Sequence, residues 1–291
     1  MAVADAQEEC AGLIRMSLPT PTLPPASTTN HWLVGWRPLV VVDPATPDRR
    51  SQARLAALVE AARTAGAQPQ ALLLTHHHLD HSGAAEELAQ ALQLPVICHP
   101  LTVPLLPSGV AVTGVVQDGD VVARNADGAA WVARHTPGHA PGHLVLHQPE
   151  SGWVVAGDLV AGVGTILVDP RDGDMGDYLA SLALVQAWSP QVLAPAHGPV
   201  LRDAVAVLQH YQAHRRQREQ RILAALGQKP QQPQDLLPVA YADVSRLAWP
   251  LAVRAMTSHL LHLRSQGLAL LHADGWVTAG AGPALARVHG E

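Results

Sequence analysis

Phenylalanine is absent from the 291 residues, and only three tyrosines and seven tryptophans take its place. Hydrophobic residues make up 48% of the chain, so a sizeable core is expected, filled by Ala, Leu and Val. Cysteine is equally scarce. Cys10 and Cys98 are too few for a disulfide framework, and Cys98, within Pro95-Val96-Ile97-Cys98, reads as a buried strand thiol. No run approaches the roughly 18 apolar residues that span a bilayer, so no membrane association is expected. Asp5, Glu8 and Glu9 stand where a secretory leader carries positive charge. The expected compartment is the cytoplasm. Internal repeats and Gly-rich phosphate loops are lacking too, which removes repeat architectures and nucleotide-loop chemistry from consideration.

What the chain does have is a concentration of imidazoles. Thr75-His76-His77-His78-Leu79-Asp80-His81-Ser82-Gly83 packs four histidines and a carboxylate into six positions. It follows directly on Ala71-Leu72-Leu73-Leu74, an apolar run that reads as a buried strand. Polar groups buried there without partners would cost several kcal/mol, roughly 2–7 each. Metal coordination removes that cost, because neutral imidazole nitrogen and carboxylate oxygen are ligands for zinc, iron or manganese.

Three more segments end the same way. His139 lies in His135-Thr136-Pro137-Gly138-His139-Ala140-Pro141-Gly142-His143, Asp158 follows Trp153–Gly157, and His197 follows Val192–Ala196. Each apolar stretch delivers one ligand type to a Gly- or Pro-bounded turn. Four such segments predict one shared site at one edge of a sheet. In extended chain, residues two apart face the same side, so His76 and His78 can grip one ion together. Asp80 and His81 come after the turn and can reach a second. His139 would complete the first group and His197 the second, with Asp158 between them. Open positions for water would then mark the centre as catalytic. His77 points away in this scheme and reads as a neighbour.

The set His76-x-His78-x-Asp80-His81, His139, Asp158 and His197 resembles the five-motif signature of the metallo-β-lactamase superfamily, over about Asn30 to His197. The resemblance implies an α/β (α+β) fold, the αββα sandwich, with a dinuclear metal centre. Its first site falls on His76, His78 and His139, its second on Asp80, His81 and His197, with Asp158 shared. Two divalent ions are implied, zinc above all, with iron or manganese as alternatives. Asp43-Pro44 departs from the Asp-Thr-Gly or Asp-Ala-Gly of many members, and Ala84 from a repeated Gly. That Asp supports the site from outside the ligand set, so the departure puts in doubt the turn and not the metals.

Beyond His197, the run to Asp203 and then Tyr211-x-x-His214-Arg215-x-x-Arg218-Glu219-Gln220-x-Ile222 resembles the beta-lactamase-like protein 2 group. This implies residues 1–202 as a catalytic domain and 203–291 as a connecting helix with a small winged-helix-like domain. Members of that group are linked to single-stranded RNA cleavage, and fungal relatives to acyl carrier protein thioesters. The expected function is a metal-dependent hydrolase whose dinuclear-site hydroxide cleaves an ester-like bond, in RNA or an acyl thioester. Asp80 or Asp158 could accept the proton, and His143 could support the site or donate one. A glyoxalase II-like enzyme for hydroxyacyl-glutathione, a β-lactamase or lactonase, an iron redox member and a non-catalytic metal module are the alternatives, in that order.

Local signals fill in the frame. Strands are expected at Gly12–Leu18, His31–Trp36, Leu39–Val42, Val121–Ala123, Trp131–Ala133 and Val192–Ala194. Helices are expected at Asp48–Ala65, stopped by Gly66, and at Ala84–Leu92, Asp177–Trp188 and Asp203 to about Leu226. Arg215, Arg218 and Arg221 form a basic row, read either as a solvated face balanced by Glu219 or as a phosphate contact. Residues 1–202 carry a formal −8 and 203–291 a formal +3, which permits a polyanion without requiring one. After Gln228–Pro233, read as a linker, an amphipathic helix carries Val253, Met256, Leu260 and Leu263, with His259 and His262 expected at the surface. Leu268–His272 and Trp276–Thr278 would form a wing. Tails of this kind often serve as dimer elements, so a homo-oligomer is compatible.

Overall fold

A computed structural model describes residues 5–279, so the outermost limits of the two expected domains, at residues 1 and 291, lie outside it. The first half builds a seven-stranded sheet. Its strands run in sequence order: β1 (Ala6–Cys10), β2 (Leu13–Pro19), β3 (Thr28–Gly35) and β4 (Leu39–Val42), then helix α1 (Arg49–Thr64), β5 (Pro69–Leu74), the single turn α2 (Leu79–Ser82), α3 (Ala85–Leu92), β6 (Val96–Cys98) and β7 (Val112–Val115). β1 to β4 are antiparallel, while β4, β5, β6 and β7 are parallel. Parallel strands are buried on both faces, which is why Leu39–Val42 and Ala71–Leu74 are apolar without alternation. α1 starts where Asp48 accepts a hydrogen bond from the Ser51 amide, an ordinary N-cap.

The second sheet has the order β12 to β8. It comprises β8 (Val121–Arg124), β9 (Ala130–His135), β10 (Leu144–Gln148) and β11 (Trp153–Gly157), then α4 (Met175–Ala187) and β12 (Val192–Pro195). Period-two alternation sorts the side chains into layers. Trp32, Val34, Val40, Val42 and Leu73 meet Trp131, Leu144, Leu146 and Val155 between the sheets. Leu33, Val41, Leu72 and Leu74 face Leu55, Leu58 and Val59 of α1 and Leu88 of α3. Val145, Val154 and Leu193 face Tyr178, Leu182 and Val185 of α4. The architecture is the αββα sandwich. The inner layer also buries Trp32, Trp131 and Trp153, so tryptophan supplies bulk that the missing phenylalanines do not.

The last part comprises α5 (Ala204–Ala225), α6 (Pro233–Ala240), α7 (Trp249–Ser265), and the hairpin β13 (Ala269–His272) and β14 (Gly275–Thr278). They share a core that includes Ile222, Leu236, Met256, Leu260 and Trp276. Among the described residues no helix is long and apolar enough to cross a membrane.

Several expectations are corrected here. β1 is an additional edge strand; its Ala-Gln-Glu-Glu-Cys is polar and half-exposed, so it carries no hydrophobic period. α6 begins at the end of the expected linker, where the Gln232 amide donates to Asp235 and Pro233 opens the first turn. His259 is fully buried rather than surface-exposed. Two of the three arginines of the row are buried against protein. Arg215 donates to the Ile166 carbonyl, Arg218 to the Ala240 carbonyl and Asp243, and Arg221 to Asp243 at 2.6 Å. Glu219 balances His259 and His262 of α7 and not the arginines. The solvated-face reading therefore fails for Arg215 and Arg218, which are buried, while Arg221 stays exposed; their partners lie on distant segments that spacing within one helix cannot reveal.

Candidate metal centre

Four strand ends deliver the side chains, as expected. β5 ends at Leu74 and leads to His76 and His78; α2 carries Asp80 and His81. The loop after β9 brings His139, β11 ends just before Asp158, and β12 just before His197. Gly157 permits the third of these. Its φ is +48°, and a Cβ there would stand 2.7 Å from His143 Nε2, so only glycine brings the Asp158 backbone this close to the imidazole beneath it.

Two groups of lone pairs result. His76 Nε2 lies 3.0 Å from His78 Nδ1 and 3.2 Å from His139 Nε2, and the last two are 3.0 Å apart. Asp80, His81 and His197 form the second group, with His197 Nε2 3.5 Å from Asp80 Oδ2. Asp158 stands between them. Its Oδ1 is 3.4 Å from His197 Nε2 and 3.5 Å from His81 Nε2, and its Oδ2 is 3.4 Å from His139 Nε2. All seven expected residues are brought together.

The far nitrogen of each imidazole is anchored, which decides the tautomer. His81 Nδ1 donates to Asp43 at 2.8 Å, His139 Nδ1 to the Leu167 carbonyl at 2.8 Å, and His197 Nδ1 to the Thr28 carbonyl at 3.0 Å. Thr75 Oγ1 donates to Asp43 and so accepts from His76 Nδ1 at 3.0 Å. His78 Nε2 donates to Asp172 at 2.9 Å, as does His77 Nε2 at 3.0 Å. For His76, His78, His81, His139 and His197 the remaining nitrogen faces the centre, the arrangement that orients metal-binding histidines, while His77 stands beside it. Asp43, at φ +55°, also accepts from the Thr75 amide, so the altered turn after it leaves its supporting role in place.

The electrostatics call for a cation. Burial pushes the His76 imidazole well below its usual range and His139 down to about 4, which keeps both neutral. Burial also opposes charge on His81, yet Asp158, Asp43 and Asp80 together outweigh it and raise that imidazole well above its usual range. Burial likewise raises Asp80 and Asp158, but neighbouring imidazoles, His81 foremost, hold both below the carboxylate range. His81 Nε2 and Asp158 Oδ1 are buried without a hydrogen-bond partner. Three nitrogens at 3.0–3.2 Å cannot share protons pairwise. They can all lie about 2.0–2.1 Å from one ion, the zinc–imidazole bond length. The donor set therefore fits divalent metal.

His143 occupies only one of its two expected places. Its Nε2 accepts from the Asp158 amide at 3.0 Å, and its Nδ1 donates to Thr136 Oγ1 at 2.9 Å. Burial pushes its pKa down to about 3. It positions Asp158 and has no proton to give toward the centre. Asp172 was not foreseen, and neither were Asp169, Arg171 and Arg254. These line a cleft of about 560 Å³ above the centre, with the loop of Pro21–Ala26 forming another wall. Arg254 reaches in from α7 and, with Arg171, pairs with Asp169. The acidic run Asp169-Pro-Arg-Asp-Gly-Asp was the one signal available for the first three, and Arg254 on α7 had none.

Comparison with known proteins agrees with this geometry. Residues 25–197, an interval that holds all seven side chains, match the family described as Metallo-beta-lactamase superfamily. A beta-lactamase-like protein 2 homolog of Drosophila melanogaster is 28% identical over 252 residues, 82% of this chain and 83% of that protein. An atrochrysone carboxyl ACP thioesterase of Aspergillus chevalieri is 32% identical over 167 residues, 55% of this chain and 49% of its own length. A beta-lactamase domain protein from Burkholderia ambifaria has the same fold, with a TM-score of 0.80 at 20% identity, over 95% of this chain and 94% of that one.

Proposed function

The chain belongs to the metallo-beta-lactamase superfamily as a metallo-hydrolase, and we propose that it cleaves an acyl thioester at a dinuclear centre. His76, His78 and His139 would hold one ion and Asp80, His81 and His197 the other. The observation that carries this reading is Asp158, whose two oxygens each lie within 3.5 Å of a nitrogen of a different group. Bound there, such ions supply Lewis acidity that polarises a substrate oxygen and lowers the pKa of water from about 15.7 toward 7.

The chain's own residues do the rest. The Asp80 carboxylate lines the cleft and can accept the proton of the attacking water. His143 and Gly157 hold the Asp158 backbone in place, while Asp172 and Asp43 fix the rings of His78 and His81. Around the cleft, His77 and His78 donate to Asp172, and His139 and His197 to carbonyls. These imidazoles have no free proton for a leaving group. A thiolate, whose parent pKa is about 8.5, needs that help less than a ribose oxygen does. The thioesterase relative from Aspergillus supports the same choice. We read residues 203–291 as a winged-helix-like unit, whose engaged arginines lend no support to phosphate contact.

The test is turnover by the metal-loaded chain of S-acyl-glutathione, an acyl-CoA, single-stranded RNA and a β-lactam in parallel. Thioester cleavage is expected. Cleavage of RNA alone would discard the reading.

A further inference from the structure

Beside the cleft lies a larger groove of about 880 Å³ that the reaction at the metal centre does not use. Leu23, Pro24, Pro25, Gly164, Thr165 and Ile166 border both spaces, so one wall of loop separates the groove from the metal centre. Its other walls are α5 and the segment from Tyr241 to Ala255 on the tail. Both volumes fall in the range of roughly 300–1,000 Å³ typical of small-molecule sites.

The groove exists because small side chains stand where two helices face one another. Ala206 on α5 and Ala248, Ala252 and Ala255 at and along α7 line it. Leucines at these positions would close it. Its apolar lining includes Leu23, Val207, Leu251 and Val244, and Leu23 remains 49% exposed.

The two arginines that reach the groove are already engaged, while the exposed Asp203 stands at its edge without a side-chain partner among the described residues. Arg218 is paired with Asp243 and lies 4.1 Å over the Tyr241 ring. Arg215 is bound to the Ile166 carbonyl, and the Tyr211 hydroxyl to the backbone of Ala161. Burial, then Arg215 and Arg218, push His214 down to about 4, so it is neutral at physiological pH. A polyanion would find no free cation among these residues.

We infer that this groove receives the acyl part of the thioester, so that the substrate carries a large apolar acyl group rather than a short one. The inference rests on the thioesterase reading above. The shared wall sets its direction: the scissile carbonyl sits over the metal centre while the apolar portion passes Leu23 and Ile166 into the space between α5 and α7. Each methylene buried contributes about 0.8 kcal/mol, a factor of about four in affinity.

The test uses the full metal-loaded chain and pairs binding with turnover. Calorimetry compares the S-ethyl and S-dodecyl thioethers of N-acetylcysteamine, which cannot be hydrolysed, and an assay compares its S-acetyl and S-dodecanoyl thioesters. The dodecyl compound is expected to bind at least about tenfold tighter. Ala252→Phe and Ala206→Trp, each checked for unchanged melting temperature and metal content, should reduce that advantage to about threefold or less. If Ala252→Phe does not fold, Ala206→Trp decides, because Ala206 is exposed on α5. Equal affinities in the unaltered chain, or an undiminished advantage in the filled variants, would overturn the inference. Length-dependent binding without thioester turnover would uphold the groove and sink the thioesterase reading. Turnover of both thioesters without a length preference in rate or binding would do the reverse.

Discussion

Two regions of the molecule gather histidines and acidic residues, and they use them in opposite ways. At the strand ends the acceptors outnumber the protons. Five imidazoles point lone pairs inward, and Asp80 and Asp158 stand among them. In the tail, Glu219 accepts from His262 Nδ1 at 2.7 Å and His259 Nδ1 at 3.3 Å, and Asp243 accepts from Arg218 and Arg221. There the carboxylates have donors in hand. The nitrogens left over, on Arg215, Arg254 and His259, belong to separate side chains and form no metal-holding group among the described residues. A count of His, Asp and Glu does not distinguish the two regions. Convergence of unprotonated atoms does, and it separates a site that needs a cation from a set of ion pairs that hold helices together.

The sharpest way to break the contrast is to remove one ligand. His78→Ala is expected to abolish turnover with every substrate and to lower bound metal, read by assay and elemental analysis; wild-type rates would mean that the site is misassigned. Next comes Asp172→Ala, which frees the His78 ring. Metal affinity should fall by about 10–100-fold in chelator competition, with partial rescue in Asp172→Asn, which keeps an acceptor. An unchanged affinity would make Asp172 a bystander. In the tail, Arg218→Ala removes one of the two arginines on Asp243 and strips the buried Ala240 carbonyl and the Tyr241 face of their partner. A loss of about 1–3 kcal/mol in denaturant unfolding is expected, with metal content unchanged. Coupled loss of metal would contradict the separation of the two regions.

The smallest effect concerns pH. Burial raises Glu219, but hydrogen bonds from His259 and His262 outweigh it and hold the carboxyl below its usual value. A group depressed on folding stabilises above its unfolded pKa, and that contribution is lost as pH falls, here from about 4 downward. The melting temperature of Glu219→Gln should therefore be lower than that of the unaltered chain at neutral pH and converge with it in acid. Parallel curves throughout would remove Glu219 from the account.

The candidate metal ligands were legible because their signal is local. Buried strands read as apolar runs, and a ligand-type residue follows each within a few positions, as Asp158 follows Trp153–Gly157. α1 was legible for the same reason, with Asp48 as cap and Leu55, Leu58, Val59 and Ala62 on one face. What escaped was decided by partners far along the chain. Asp172 touches His78 across 94 positions, and its acidic loop has no period to read. His259 looked like a surface residue until Glu219, 40 positions earlier, was placed beside it. The arginine row was visible as a row, but its orientation depended on Ile166, Ala240 and Asp243. β1 is held by its ladder to β2 and not by buried side chains, so hydrophobic patterning could not find it.

The most direct test of the centre is metal stoichiometry on the intact chain, with anomalous diffraction to place the ions. The account predicts two divalent ions per chain, one among His76, His78 and His139 and the other among Asp80, His81 and His197, both within reach of Asp158. A chain that binds no transition metal after reconstitution, or binds it elsewhere, would contradict it.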